Sequence, residues 1–72
     1  MENEINKRFG KRLRGLRESR GWTQEELAQN SGLDYKYIQR LEGKTPSSPT
    51  LNTLEKLAKA FDIKPAKLLE FR

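Results

Sequence analysis

At 72 residues, with 15 Lys and Arg against 10 Asp and Glu and a formal net charge of +5, the chain has room for one domain, residues 1–72, around one small apolar core, and little is left for a ligand chamber. It contains neither cysteine nor histidine, which excludes disulfides and thiolate metal sites, removes the commonest general base and metal ligand, and argues against an enzyme or a bound cofactor. No apolar run exceeds two residues, so neither a membrane span nor a secretory signal is expected, and a soluble, cytoplasmic protein is.

The first helix is predicted over about Glu4 to Ser19, where Ile5, Phe9, Leu13 and Leu16 recur at helical spacing. It should end near Gly21, a residue that tolerates the left-handed cap conformation. This segment concentrates positive charge: Lys7, Arg8, Lys11, Arg12, Arg14, Arg17 and Arg20 stand against Glu2, Glu4 and Glu18. A solvated helix face and a phosphate-binding surface account for that pattern equally well. Gly10 and Gly15 each weaken a helix by roughly 1 kcal/mol relative to alanine. Each therefore marks either the close approach of a neighbouring helix or a tolerated defect.

The second helix has three agreeing start signals. Thr23 is the N-cap, Glu26 completes a capping box, and Trp22 and Leu27 occupy the two positions of a hydrophobic staple. Ser31 and Gly32 make the turn into a third helix capped by Asp34, with Leu33 placed to staple onto Ile38. A polar loop from Lys44 to Ser47 follows Gly43, and Pro46 within it blocks helical continuation. The fourth helix is predicted to start with Ser48 as N-cap and Pro49 at the first helical position, and Leu51, Leu54, Ala58 and Phe61 recur along it at helical spacing. A last short helix opens at Pro65 and carries Leu68, Leu69 and Phe71.

The span from Trp22 to Gly43 is thus two short capped helices joined by a glycine turn. On the third helix Ile38 and Leu41 must point inward, which places Lys36 and Arg40 on the opposite side with Gln39 beside them, and Tyr35 at the exposed first turn. Such a face suits a DNA major groove: guanidinium and ammonium groups donate to guanine acceptors, and a glutamine amide pairs with adenine. An ordinary solvated surface is the competing account, and it would be preferred for an isolated helix.

Three stretches, F-G-K-R-L-R-G-L-R-E-S-R-G-W-T-Q-E-E-L-A, S-G-L-D-Y-K-Y-I-Q-R-L-E-G and S-P-T-L-N-T-L-E-K-L-A-K-A-F-D-I, make residues 9–71 resemble the phage-repressor and XRE-type helix-turn-helix family, including the small controller proteins of restriction-modification systems. The resemblance implies an all-α, lambda-repressor-like DNA-binding domain, a bundle of about five helices that works as a homodimer on a palindromic operator. It implies that Tyr35, Lys36 and Arg40 read bases, with Gln39 more peripheral. Gln24 becomes a DNA-backbone contact that also touches the recognition helix, and Lys44, Thr45 and Ser47 lie in a loop laid along the DNA backbone. Tyr37 either packs its ring or sends its hydroxyl to a phosphate. Arg17 and Glu42 are expected to form a structural ion pair between the first helix and the end of the third, and Trp22 to be a core residue.

Taken together, the sequence points to a sequence-specific transcriptional regulator that binds double-stranded DNA. One third helix per half-site would lie in the major groove, with half-sites roughly 34 Å apart. Leu68, Leu69 and Phe71 cannot all face inward on so short a segment, so they are expected to form the dimer interface. RNA polymerase would be a further partner if control is by activation. The alternative is a protein-interaction module on the same fold, such as an antitoxin or adaptor, whose mark would be an uncharged third-helix face.

Overall fold

Local rules fix the start of the second helix. Thr23 Oγ1 accepts the Glu26 amide at 3.1 Å while the Glu26 carboxylate accepts the Thr23 amide at 2.8 Å, so each residue satisfies a backbone donor that the helix leaves open. In the computed structural model, which describes residues 4–71, this helix is the second of five: α1 (Glu4–Ser19), α2 (Gln24–Ser31), α3 (Tyr35–Leu41), α4 (Leu51–Phe61) and α5 (Pro65–Leu68). No strand occurs among the described residues. Gly21 and Gly32 turn the chain after α1 and α2 with φ of 71° and 75°, the left-handed region that a side chain disfavours.

Every helix contributes to one core. Phe9 and Leu13 come from α1, Leu27 and Ala28 from α2, Ile38 and Leu41 from α3, Leu54, Leu57, Ala58 and Phe61 from α4, and Leu68 from α5. Trp22 lies partly buried against this core and stacks on Phe61, with ring centroids 5.4 Å apart and planes 19° from parallel. Each large side chain so buried contributes about 1.5 to 3 kcal/mol relative to exposure. In a domain this small most of the aliphatic residues serve that purpose, with Ile5, Leu51 and Leu69 left exposed.

Two stripes differ from the simple apolar spacing. The buried face of α1 runs through Asn6, Phe9, Gly10, Leu13 and Arg17, and Ile5 is 59% exposed. On α4 the buried residues are Thr53, Leu54, Leu57, Ala58 and Phe61, and Leu51 is 85% exposed. Asn6 is inside because its amide has a partner: Nδ2 donates to Ser48 Oγ at 2.8 Å and reaches the Pro46 carbonyl at 3.5 Å. A buried amide paired in this way avoids the desolvation penalty an unpaired one would incur.

The same contact explains a shifted boundary. Ser48 and Pro49 do not open α4, because the Ser48 hydroxyl is engaged by Asn6. Thr50 is the N-cap instead, extended at φ −84° and ψ 167°, and its Oγ1 accepts the Thr53 amide at 3.1 Å. Asp34 does occupy the N-cap of α3, but its carboxylate makes no capping bond. Its carbonyl accepts from Tyr37 and Ile38, and the Ser31 hydroxyl accepts the Leu33 amide at 3.3 Å, so the turn is held from behind.

The two glycines inside α1 separate cleanly. A Cβ on Gly10 would lie 2.5 Å from the Leu41 carbonyl oxygen, whereas one on Gly15 would meet nothing within 4 Å. Gly10 is the point where α1 and the end of α3 touch backbone to side-chain-free backbone. Gly15 is a tolerated defect on the exposed side.

Candidate nucleic-acid interface

The third helix is short, and both of its inward residues, Ile38 and Leu41, are fully buried. That anchoring leaves Tyr35, Lys36, Gln39 and Arg40 exposed along the opposite side. Tyr35 and Gln39 are one turn apart, and Gln39 Nε2 donates to the Tyr35 hydroxyl at 3.2 Å. The second N–H of that amide and its carbonyl oxygen are left as an adjacent donor and acceptor, the pattern that matches an adenine edge.

A single carboxylate gathers the polar contacts at the end of this helix. Glu42, the C-cap of α3, receives Arg17 Nε at 2.9 Å and Arg17 Nη2 at 3.0 Å, one bond to each oxygen. The Gln24 amide adds a third bond at 3.1 Å, and Arg17 Nη1 continues to the Trp22 carbonyl at 2.7 Å. The network joins α1, the residue before the α2 cap, the first residue of α2 and the end of α3. The Glu42 side chain is 3% exposed and that of Arg17 11%. The hydrogen bonds to Glu42, opposed by burial and aided by the charges of Glu42 and Glu18, raise the Arg17 pKa above its already high ordinary value.

The remaining expected contacts fall in different surroundings. Gln24 is partly buried with its amide nitrogen on Glu42, and so it reaches the end of the third helix through that residue. Lys44 and Thr45 are exposed and Ser47 is partly buried, in the loop that Asn6 pins to α1. The Tyr37 ring lies partly buried against the core, and its hydroxyl is 3.0 Å from Thr53 Oγ1, within the cap of α4.

At the C-terminal end the expected apolar trio divides. Leu68 is fully buried and belongs to the core, so it is removed from the dimer surface: the tight start at Pro65 turns it inward. Phe71 is partly buried against the core, and Leu69 is 47% exposed. Leu69 shares a shallow groove with Leu51, Leu54, Pro65 and Ala66.

Sequence periodicity missed three polar residues that tie the N-terminal segment to distant parts of the bundle. Asn6 fastens the loop after α3. Arg12 donates to the Lys67 carbonyl at 2.7 Å. Arg20 donates to the Phe61 carbonyl and lies over the rings of Trp22 and Phe61 at 5.7 and 5.6 Å. Their partners lie about 40 to 55 residues along the chain, out of reach of any local pattern. Arg12, Arg20 and Arg17 show that part of the N-terminal positive charge is structural.

A short α2, a left-handed glycine turn and an anchored α3 presenting polar groups outward define a helix-turn-helix protein. Residues 13–68 match the helix-turn-helix family, and the chain belongs to it. It is 36% identical over 72 residues to control protein C.BamHI of Bacillus amyloliquefaciens, covering 99% of this chain and 88% of that one. It is 34% identical over 68 residues to a hypothetical transcription factor of Neisseria meningitidis, covering 94% of this chain but 63% of that longer one. Among solved structures, the restriction-modification controller protein C.AhdI from Aeromonas hydrophila superposes with a TM-score of 0.81 at 43% identity, over 88% of this chain and 94% of that one. C.Esp1396I bound to a 19 base pair DNA duplex gives 0.83 at 26% identity, over 94% and 89%. Among the described residues no helix is long and apolar enough to cross a membrane.

Proposed function

We propose that the chain is a cytoplasmic, sequence-specific DNA-binding regulator of transcription that acts as a homodimer, with α3 of each protomer in the major groove of one half-site. The observation that carries this reading is the exposed row of Lys36, Gln39 and Arg40 on a helix whose other face, Ile38 and Leu41, is wholly buried. Such a helix presents its donors from a fixed backbone, so only the side chains themselves remain to be ordered when DNA arrives. Tyr35, Lys36 and Arg40 are the base-reading groups, with Gln39 held by Tyr35 as a fourth. Gln24, Lys44, Thr45 and Ser47 position the backbone of the duplex. The similarity to a controller protein solved on a DNA duplex supports the same reading.

The second protomer is assigned to the groove where Leu69 and Leu51 stand exposed, 47% and 85%. Two large aliphatic side chains on one shallow groove are a self-complementary patch of the kind a two-fold interface uses. The cationic face of α3 weighs against a module that binds only protein. Selection of bound duplexes from a random pool tests the function: the expected product is a two-fold symmetric sequence with half-sites about one helical turn apart. A pool that remains random after repeated rounds would refute it.

A further inference from the structure

Lys7, Lys11 and Arg14 follow one another at spacings of four and three residues on α1, so they share one face of that helix. The face borders an open cleft of about 430 Å³, with Gly43 and Lys44 on its other side. Gly10 makes the cleft possible: without a side chain it lets α1 approach the Leu41 carbonyl, which brings the cations of α1 and the Lys44 loop to one trough. Glu42 also borders the cleft, but its side chain is 3% exposed and both oxygens receive Arg17, so its charge is already matched. Arg14 and Glu42 border a second cleft as well, the one formed with Gln24 and Tyr35. The basic trough therefore runs into the surface that holds the first residues of α2 and α3.

Resting on the DNA-binding reading above, we propose that this trough grips the sugar-phosphate backbone of the duplex whose bases α3 reads, with Lys11 and Arg14 as phosphate contacts alongside Lys44. Arg12 and Arg17 of α1, and Arg20 just beyond it, hydrogen-bond across the bundle to Lys67, Glu42 and Phe61, whereas Lys11 and Arg14 are exposed on the trough side of α1. Arg14 pairs with Glu18 at 3.3 Å, but both side chains are more than half exposed, and a pair so placed is weak enough to exchange for a phosphate. The trough presents positive charge without directional donors aimed at base edges, so it adds affinity to every sequence and none to selectivity.

The test compares the wild-type chain with Lys11→Gln/Arg14→Gln on a random-sequence duplex of 24 base pairs and on a duplex selected by the protein, over a range of salt concentrations, with helicity checked by circular dichroism. Losing both contacts is expected to make the slope of log affinity against log salt shallower by about 1.8 units for each chain bound. The ratio of affinities for the two duplexes should be preserved. Lys11→Gln alone should give about half the change in slope. Lys56→Gln/Lys59→Gln removes equal charge from α4, outside the trough, and should change the slope far less. An unchanged slope in Lys11→Gln/Arg14→Gln, or an equal change in the α4 variant, overturns the trough while leaving the function of α3 intact. A wild-type chain that binds neither duplex overturns both.

Discussion

Arg17 and Glu42 meet through two parallel hydrogen bonds of 2.9 and 3.0 Å across 25 residues of sequence, and the Gln24 amide completes the same carboxylate. The pair ties α1 to the C-cap of α3, so it fixes where the third helix sits against the bundle. Arg17→Ala leaves the Glu42 charge buried with only Gln24 beside it and is expected to cost about 3 to 5 kcal/mol in chemical denaturation. Removing both charges with Arg17→Met/Glu42→Leu should cost less than the sum of the two single changes, because no uncompensated ion remains. The raised Arg17 pKa means that its contribution is fully present below the ordinary arginine range and is lost only above it. Titration of Arg17 therefore leaves stability unchanged near neutral pH. A fully additive double variant would contradict the pairing.

The two α1 glycines give opposite expectations. Gly15→Ala meets open space and is expected to stabilise the domain by about 0.5 to 1 kcal/mol, through lower unfolded-state entropy and better helix propensity. Gly10→Ala drives a methyl group into the Leu41 carbonyl, a backbone atom that cannot rotate away, and should cost about 1 to 3 kcal/mol by pushing α1 off α3. Thermal unfolding of the two variants measures both signs.

Base contacts and backbone contacts separate by their dependence on sequence and salt. Arg40→Ala should weaken binding to the preferred duplex by about 1 to 3 kcal/mol and relax selectivity at one position. Lys44→Ala should lower affinity for all sequences and make the salt slope shallower by about 0.9 unit per chain. Equal losses on every sequence would reassign Arg40 to the backbone.

Tyr35→Phe removes the hydroxyl that Gln39 donates to at 3.2 Å. Its ring remains, and stability should stay within about 0.5 kcal/mol. Selectivity at the position read by Gln39 should fall, and a selectivity profile identical to wild type would show that the hydrogen bond does not orient the amide.

Leu69→Glu places a charge in the exposed groove with Leu51 and should shift sedimentation toward the monomer with helicity retained. Leu68→Glu, aimed at the fully buried neighbour, should unfold the domain instead. A Leu69→Glu protein that stays dimeric would exclude this groove as the contact.

Much of the fold was legible because its signals are local. The bounds of α1, the Thr23–Glu26 box, the Gly32 turn and the Pro65 start all depend on residues within a few positions of one another. The inward and outward faces of α3 followed from the spacing of Ile38 and Leu41 for the same reason. The start of α4 was not legible, because Ser48 is diverted to Asn6 from 42 residues away and Thr50 takes the cap. Nor were the true stripes of α1 and α4: Asn6 and Arg17 occupy apolar-face positions by virtue of distant partners, which displaces Ile5 to solvent. A polar residue in step with an apolar stripe was the available hint. The Arg17–Glu42 pair came from family resemblance alone, since nothing local connects the two.

The most direct test of the account is a titration, at about 0.15 M salt, of the wild-type chain and Lys36→Ala/Arg40→Ala against a duplex it selects and a scrambled duplex of the same length and composition. The expected wild-type preference is about 10³-fold or more, and the variant should lose most of it while keeping its helicity. Equal affinity of the wild-type chain for the two duplexes would contradict a reading helix on this face.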